Sequence, residues 1–427
     1  MAHQRRARVR LRLAALPLAR HLRVLSPPRA DGIDLARGAV KRRVTYHHLM
    51  GGTEPVVIAG AGIGGLALGA ALARAGVPFE IFERAEELRE VGAGLAVQTG
   101  PMLALRRLGL DVEVASVGHE IRTAVMRTAG GTVLGRTSLE GLAAPMVALH
   151  RARLQGVLRA HVPDARVHTG RAVAGCEQDD RGVRVTLADG SSVTGALLVG
   201  ADGLRSVVRV AVAGETPLRY AGYTSWRGVA TRDDLGPLHE ACEILGRGLR
   251  FGVVPIGEGQ TYWFAVANSP EGGRDEGDVR AALLDRFSPM GEPAASLIAA
   301  TPPERILRTE IHDRAPVASW SRGRFVLLGD AAHPTTPNLG QGGGMAIEDA
   351  VVLAHHLARA PYADAIATYE RLRVRPTARV VLASRRLGRI VQAEGAFAAW
   401  ARNASMRATP PALIRRQLRA AARFAVE

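Results

Sequence analysis

Cysteine, lysine and aromatic residues are all scarce in this 427-residue chain. Cysteine occurs only as Cys176 and Cys242, far apart in the sequence. Two such residues form neither a disulfide framework nor a zinc-ligand pattern, so no metal site is expected, and a reducing, cytoplasmic compartment is. Lysine occurs once, as Lys41, which excludes lysine chemistry anywhere downstream. Aromatic residues make up 4%. There is also no run of about 18 uncharged apolar residues, so no integral membrane segment is expected. Hydrophobic residues nevertheless reach 47%. A sizeable core can form, and the length suits one large domain or two interleaved ones.

The net charge of +16 points towards nucleic acid, but its distribution does not. Residues 1–49 hold twelve basic and two acidic residues, leaving only +6 for the rest. Nearly all of the basic excess is arginine. With heavy Ala and Gly use, that reads as the codon usage of a GC-rich bacterial genome more than as a phosphate-binding surface. The Arg-rich, acid-poor segment 1–49 has four readings. A secretory signal needs an unbroken apolar core, which Arg10, Arg12, Arg20 and Arg23 interrupt. The pair Arg5-Arg6 makes a poor twin-arginine signal for the same reason. A mitochondrial transit peptide has this composition, but the remaining chain looks bacterial. The expectation is a disordered extension or a start called too early, with Met50 opening the fold.

Val56 to Ala59 reads as a buried parallel strand. A glycine cluster follows, then a helix from Leu66 to Ala75 ended by Gly76, then a strand Phe79 to Phe82. This is a βαβ unit. Helices are predicted at 101–109 and 151–161, and strands near 165–170, 183–187, 196–200 and 325–328. From about 215 to 270 an alternating pattern with Tyr220, Tyr223, Trp226, Phe251, Tyr262, Trp263 and Phe264 predicts an antiparallel sheet walling a substrate pocket. After Gly344 the chain reads as helical, near 345–360 and 363–391, with an Arg-rich solvated helix from 410.

Three motifs carry chemistry. Gly60, Gly62 and Gly65 form G-x-G-x-x-G at a strand-to-helix turn. The first allows the turn, the second lets backbone approach a pyrophosphate, and the third lets helix pack on strand. The helix N-terminus offers free N–H groups to the phosphates. Glu83 ends the second strand, 23 residues after Gly60, where a carboxylate can accept ribose hydroxyls. This motif does not distinguish FAD from NAD. The second motif is Ala201-Asp202-Gly203-Leu-Arg-Ser206-Val-Val-Arg209. The third is Gly329-Asp330-Ala-Ala-His333-Pro, continuing through Pro337-Asn338 to Gly340-Gln-Gly342-Gly343-Gly344 and Glu348-Asp349. A strand-end Asp can bind a sugar-like polyol. A Gly-rich turn opening a helix can aim N–H groups at an electron-rich ring.

In this order and spacing, the motifs resemble the single-component FAD-dependent aromatic hydroxylases, the family of para-hydroxybenzoate and salicylate hydroxylases, over about residues 55–390. The stretch from Pro337 also resembles zeaxanthin epoxidase and urate hydroxylase relatives. The resemblance implies an α/β fold. A Rossmann-like FAD-binding domain of the glutathione-reductase type (50–215 and 305–390) is interleaved with a mostly antiparallel β-sheet substrate domain (216–304), and a C-terminal helical tail follows (391–427). It places Gly60, Gly62, Gly65, Glu83 and Arg84 on the ADP half of FAD, with Arg151 also touching FAD. Asp202, Gly203 and Arg209 serve FAD and the nicotinamide; the lesser alternative makes Asp202 only a turn-former and Arg209 only a helix-surface charge. Asp330 takes the ribityl chain, Gly342 and Gly343 the pyrimidine edge, and Pro337 the reactive face. His333 receives no catalytic role.

The resemblance further implies a cycle in which NADH or NADPH binds transiently and reduces FAD. O2 then forms a flavin C4a-hydroperoxide, and one oxygen atom enters a small aromatic or polycyclic substrate. The protein must keep that intermediate dry. Tyr223 is a candidate to hydrogen-bond or deprotonate a phenol, and Arg227 to pair with a substrate carboxylate or a structural acid. Phe251, Val253 and Pro255 are candidates for the far wall. The family admits a homodimer. A halogenase is excluded because it needs a catalytic lysine. A polyene or isoprenoid epoxidase stays open as the alternative, as does an isoprenoid reductase. A non-catalytic binding protein of the same fold would not need the intact Asp202-Gly203 and Gly329-Asp330 motifs.

Overall fold

The structure, a computed structural model, describes residues 54–88, 93–231, 239–422 and 424–427. The expected extension 1–49 lies outside them.

The first layer is a six-stranded sheet. Its order is Ser321–Arg322, Phe325–Leu327, Leu197–Gly200, Val56–Ala59, Phe79–Phe82 and Val167–His168. All neighbours are parallel except the short edge strand 321–322. Parallel strands are covered on both faces and read as continuous apolar runs, and the central strands are fully buried. Helix Ile63–Ala75 packs against this sheet and against helix Gly342–Leu357. Small residues make that approach close: a Cβ on Gly64 would meet Leu328 at 2.6 Å. The helix ends at Gly76 in the left-handed region (φ 71°), where glycine has no steric penalty.

The second layer is a seven-stranded sheet. It runs Leu307–Asp313, Arg219–Thr231, Gln260–Asn268, Leu249–Gly257, Glu240–Leu245, Thr123–Thr128 and Val133–Ser138. It is antiparallel except where 240–245 meets 123–128. Three of its strands come from outside the expected substrate stretch 216–304. Distant segments pair here, and no local pattern announces such pairing.

Alternation gives this sheet two different faces. One carries Trp226, Phe251, Val253 and Trp263, packed with Leu283, Phe287, Leu297 and Ile298 of the helices 279–287 and 294–299. It is a closed core. The other face turns towards a short sheet made of Gly94–Val97, Met146–His150 and His119–Ile121, and towards the turn Pro337–Leu339: Tyr262 lies against Gly94, and Tyr223 and Arg250 reach Asn338. The turn Pro337–Leu339, which follows the first-layer strand Phe325–Leu327, links this second face to the first layer. Cys176 and Cys242 are free and half-buried, and burial raises both thiols.

Candidate functional site

Strand Val56–Ala59 ends in Gly60, whose φ of 100° is closed to most side chains. Gly65 sits so near this turn that a Cβ would lie 1.9 Å from the Gly60 carbonyl oxygen. Gly62 is different: a Cβ there would meet nothing within 4 Å. The protein leaves an open cradle at the start of helix Ile63–Ala75. That helix has no side-chain cap and no acid in its first turn, so its N–H groups remain available to an anion. Glu83 accepts the Ala61 N–H at 2.7 Å and the Ala85 N–H at 3.0 Å, which holds its carboxylate at the cradle's edge with further lone pairs to offer.

Gly60, Gly62, Glu83, Arg84, Arg151, Asp202 and Gly203 all line one cleft of about 660 Å³. Asp202 has two roles. Its Oδ2 accepts the Val207 N–H at 2.8 Å, capping the short helix Val207–Ala213. Its Oδ1 is buried without a protein partner. Burial raises this carboxyl against the hydrogen bonds from Ser206, Val207 and Val208. An orphaned carboxylate oxygen, an uncapped helix and an open glycine cradle fit the ribose hydroxyls and pyrophosphate of a dinucleotide.

Arg209 is elsewhere. It is 2% exposed and donates to the carbonyls of Ala331 at 2.7 Å and Ala332 at 2.9 Å and to Thr216 Oγ1 at 3.1 Å. It is shielded from solvent and does not line that cleft. It grips the Gly329–Ala331 turn from behind.

That turn places Asp330 beside the N-terminus of helix Gly342–Leu357. Asp330 Oδ1 lies 3.9 Å from where a Gly342 Cβ would be. Asp330 is accessible, yet surrounding protein desolvates its carboxyl enough to raise it, while His333 and Arg151 pull it down. The helix has no side-chain cap and no acid in its first turn. A Cβ on Gly342 would come no nearer than Thr335, and one on Gly343 no nearer than Ile63, each at 3.5 Å, so this uncapped helix start is also uncrowded. Pro337 is exposed at the head of the same loop.

Behind the turn lies a buried charge cluster that sequence reading missed. Asp349, 0% exposed, accepts from His333 Nε2 at 2.5 Å, Arg373 Nε at 2.7 Å and the Gly329 N–H at 3.2 Å. Arg373 also pairs with Glu348 at 2.8 Å. Burial raises the Asp349 carboxyl, but His333 and Arg373 outweigh it and hold it below its ordinary value. His333 is thus a positioning residue, in keeping with the absence of an assigned catalytic role.

The facing sheet supplies the remaining groups. Tyr223 is buried and its hydroxyl accepts from Asn338 Nδ2 at 2.8 Å. Asn338 Oδ1 in turn accepts from Arg250 Nη2 at 2.9 Å, and Arg250 binds Gln392 at 2.8 Å. This network, also missed, ties the sheet to the loop after Pro337. Its members lie 88 and 142 positions apart. Arg227, on the same sheet face, is half-buried. Its Nη2 donates to Thr309 Oγ1 at 2.7 Å, but its Nε is buried and without a partner. Phe264 is directly across the strand pair. Burial pushes the nearby Tyr262 hydroxyl up to about 12, against the Arg227 charge. Phe251 and Val253, expected in the pocket wall, belong to the opposite, closed face; the alternation was read correctly and assigned to the wrong side.

Comparison with known proteins bears on these observations. Residues 53–384 match the family described as FAD binding domain. The chain is 51% identical over 358 residues to the aurachin C monooxygenase/isomerase of Stigmatella aurantiaca, covering 82% of this chain and 93% of that one. It is 35% identical to the 2-heptyl-3-hydroxy-4(1H)-quinolone synthase of Pseudomonas aeruginosa, covering 84% and 96%. Among solved structures, Klebsiella pneumoniae HpxO complexed with FAD and uric acid superposes with a TM-score of 0.81 at 32% identity, covering 87% of this chain and 97% of that one.

Proposed function

The chain belongs to the FAD-dependent aromatic hydroxylase family, and from that premise we propose that it oxygenates a small, electron-rich heteroaromatic substrate bearing a carbonyl or hydroxyl oxygen on its ring and an apolar portion. NADH or NADPH supplies the electrons and O2 the oxygen. Bound and reduced FAD supplies the chemistry that divides O2 between product and water. The carrying observation is Arg227. A half-buried guanidinium with a partnerless Nε, set against Phe264 and near Tyr262, is held ready for an oxygen acceptor on a flat, apolar molecule. The relatives' names fit this chemistry: one makes an alkyl-hydroxyquinolone and one hydroxylates urate. A polyene offers such a donor nothing, so hydroxylation is favoured over polyene epoxidation.

Each residue then has a task. Gly62 and the helix behind it would receive the pyrophosphate of FAD, and Glu83 and Asp202 would offer lone pairs to ribose hydroxyls. Asp330 would hold the ribityl chain, and the N–H groups of Gly342 and Gly343 would stabilise negative charge on the flavin. Arg227 orients the substrate, while Tyr262 and Phe264 exclude water. Tyr223 positions the Pro337–Leu339 turn through Asn338. Burial raises its hydroxyl, so it does not act as a base near neutral pH.

The test is oxidation of NADH and NADPH by the flavin-loaded protein, with O2 uptake and H2O2 followed against quinolones, purines, aromatic acids and polyenes. Stimulated, peroxide-poor oxidation with a heteroaromatic that carries a carbonyl or hydroxyl group supports the reading. Coupling only with a polyene contradicts it.

A further inference from the structure

The C-terminal arm carries a surface that the oxygenation site does not use. Helix Ala396–Ala408 and helix Pro411–Ala421 both lie against the edge strand Val133–Ser138 of the second sheet. The inner side of the first helix buries Ala399, and its Met406 packs near Leu134 and Val391. Its outer side holds Phe397 at 78% and Trp400 at 63% exposure, with ring centroids 5.8 Å apart. They are the only aromatics among the exposed large hydrophobic residues of the described chain. Single exposed apolar residues are ordinary, but paired aromatic rings one helical turn apart form a patch.

The neighbouring helix is cationic. Arg415, Arg416 and Arg419 are exposed on it, and Leu413 is 39% exposed. From 395 to 426 the sequence has six arginines and no acidic residue. Residues 50–394, by contrast, hold 38 arginines and 37 acidic residues, so the fold's positive excess is concentrated in this arm.

We propose that the arm docks the enzyme on an anionic phospholipid surface. Phe397 and Trp400 would seat at the boundary of headgroups and acyl chains, and the arginines would meet lipid phosphates. Association is peripheral, since no helix of the described residues is long and apolar enough to cross a membrane. A second copy of this chain is a poorer occupant, because a symmetric contact would set one arginine-rich arm against another. The location serves the site as well. Leu418 of the second helix packs in the same apolar cluster as Tyr262, Val229 and Val254 of the site-facing sheet. Docking itself does not depend on which compound is oxidised.

The full-length, flavin-loaded protein provides its own probe. Trp226, Trp263 and Trp320 are each at most 2% exposed, so Trp400 is the one tryptophan that lipid can reach. Vesicles of phosphatidylglycerol and phosphatidylcholine, with and without brominated acyl chains, should bind the protein and quench Trp400, while phosphatidylcholine alone binds far less. Full-length F397S/W400S should lose about tenfold or more in vesicle affinity while keeping its flavin content. R415Q/R416Q/R419Q should weaken binding to anionic vesicles only. No vesicle binding overturns the proposal, and so does binding that F397S/W400S leaves unchanged, which would assign it to the basic segment 1–49. Self-association that F397S/W400S abolishes, without vesicle binding, would identify a second copy as the occupant and likewise overturn it.

Discussion

Arg373→Met removes one guanidinium from behind the Asp330 turn and tests whether the buried cluster holds that turn in place. Arg373 is 7% exposed and pairs with Asp349 at 2.7 Å and Glu348 at 2.8 Å. Its removal leaves two buried carboxylates sharing His333. Breaking a buried pair from one side costs about 3–5 kcal/mol, and that loss is expected in urea denaturation at pH 7. The pH dependence follows from the shifts. In the native protein the Asp349 carboxyl is held below its ordinary value despite burial. Its contribution is therefore present above the unfolded value of about 3.9 and is lost as pH falls through the lower folded value. In the variant, burial dominates and the folded value rises above the unfolded one, so the penalty is fully present at neutral pH and fades on acidification. Glu348, already raised by burial against Arg373, moves the same way. The deficit should accordingly shrink between pH 7 and about pH 4. Because Asp349 also accepts the Gly329 N–H, flavin dissociation should quicken. A deficit under about 1 kcal/mol, well below the cost of an uncompensated buried charge, or one independent of pH, refutes the reasoning.

Three further outcomes follow from the site. Gly62→Ala and Gly65→Ala should part company: the first has room for its Cβ and should fold with weakened flavin binding, whereas the second would place a Cβ 1.9 Å from the Gly60 carbonyl and should lose soluble protein or stability. Circular dichroism and flavin absorbance read the two separately. Asp330→Ala should keep its fold and purify flavin-poor, and full flavin occupancy would remove the ribityl role. Arg227→Gln should keep its flavin but raise the substrate KM about tenfold or more, the value of a hydrogen bond to a charged group, and an unchanged KM would detach Arg227 from the substrate.

The parts legible in the sequence are those written in local pattern. Apolar runs at 56–59, 79–82 and near 196–200 predict strands, the first of them buried and parallel, and the structure pairs Val56–Ala59 in parallel with Phe79–Phe82 and Leu197–Gly200. The glycine spacing predicted the turn at Gly60, whose carbonyl leaves Gly65 no room for a side chain. What escaped depends on partners far away in sequence. Strand Leu307–Asp313 has only Leu307 and Ile311 as apolar residues, too few to announce a strand, and joins the second sheet through Arg219–Thr231. Alternation across Phe251, Val253 and Trp263 established that the sheet has two faces without indicating which one meets the cofactor layer. The motif spacing points Arg209 at the cofactor, and only the return of residues 331 and 332 to the same place reveals the carbonyls it holds. The Arg250–Asn338–Tyr223 network and the Asp349–Arg373 cluster are assembled by the fold in the same way.

Turnover under isotopically labelled O2, with product and water analysed by mass spectrometry, tests the account most directly. A heteroaromatic substrate identified by coupled NAD(P)H oxidation should gain one labelled oxygen atom per turnover, with the other atom in water. Label appearing only in H2O2, or a product oxygen drawn from unlabelled water, would contradict the assignment of this chain as an oxygenating flavoenzyme.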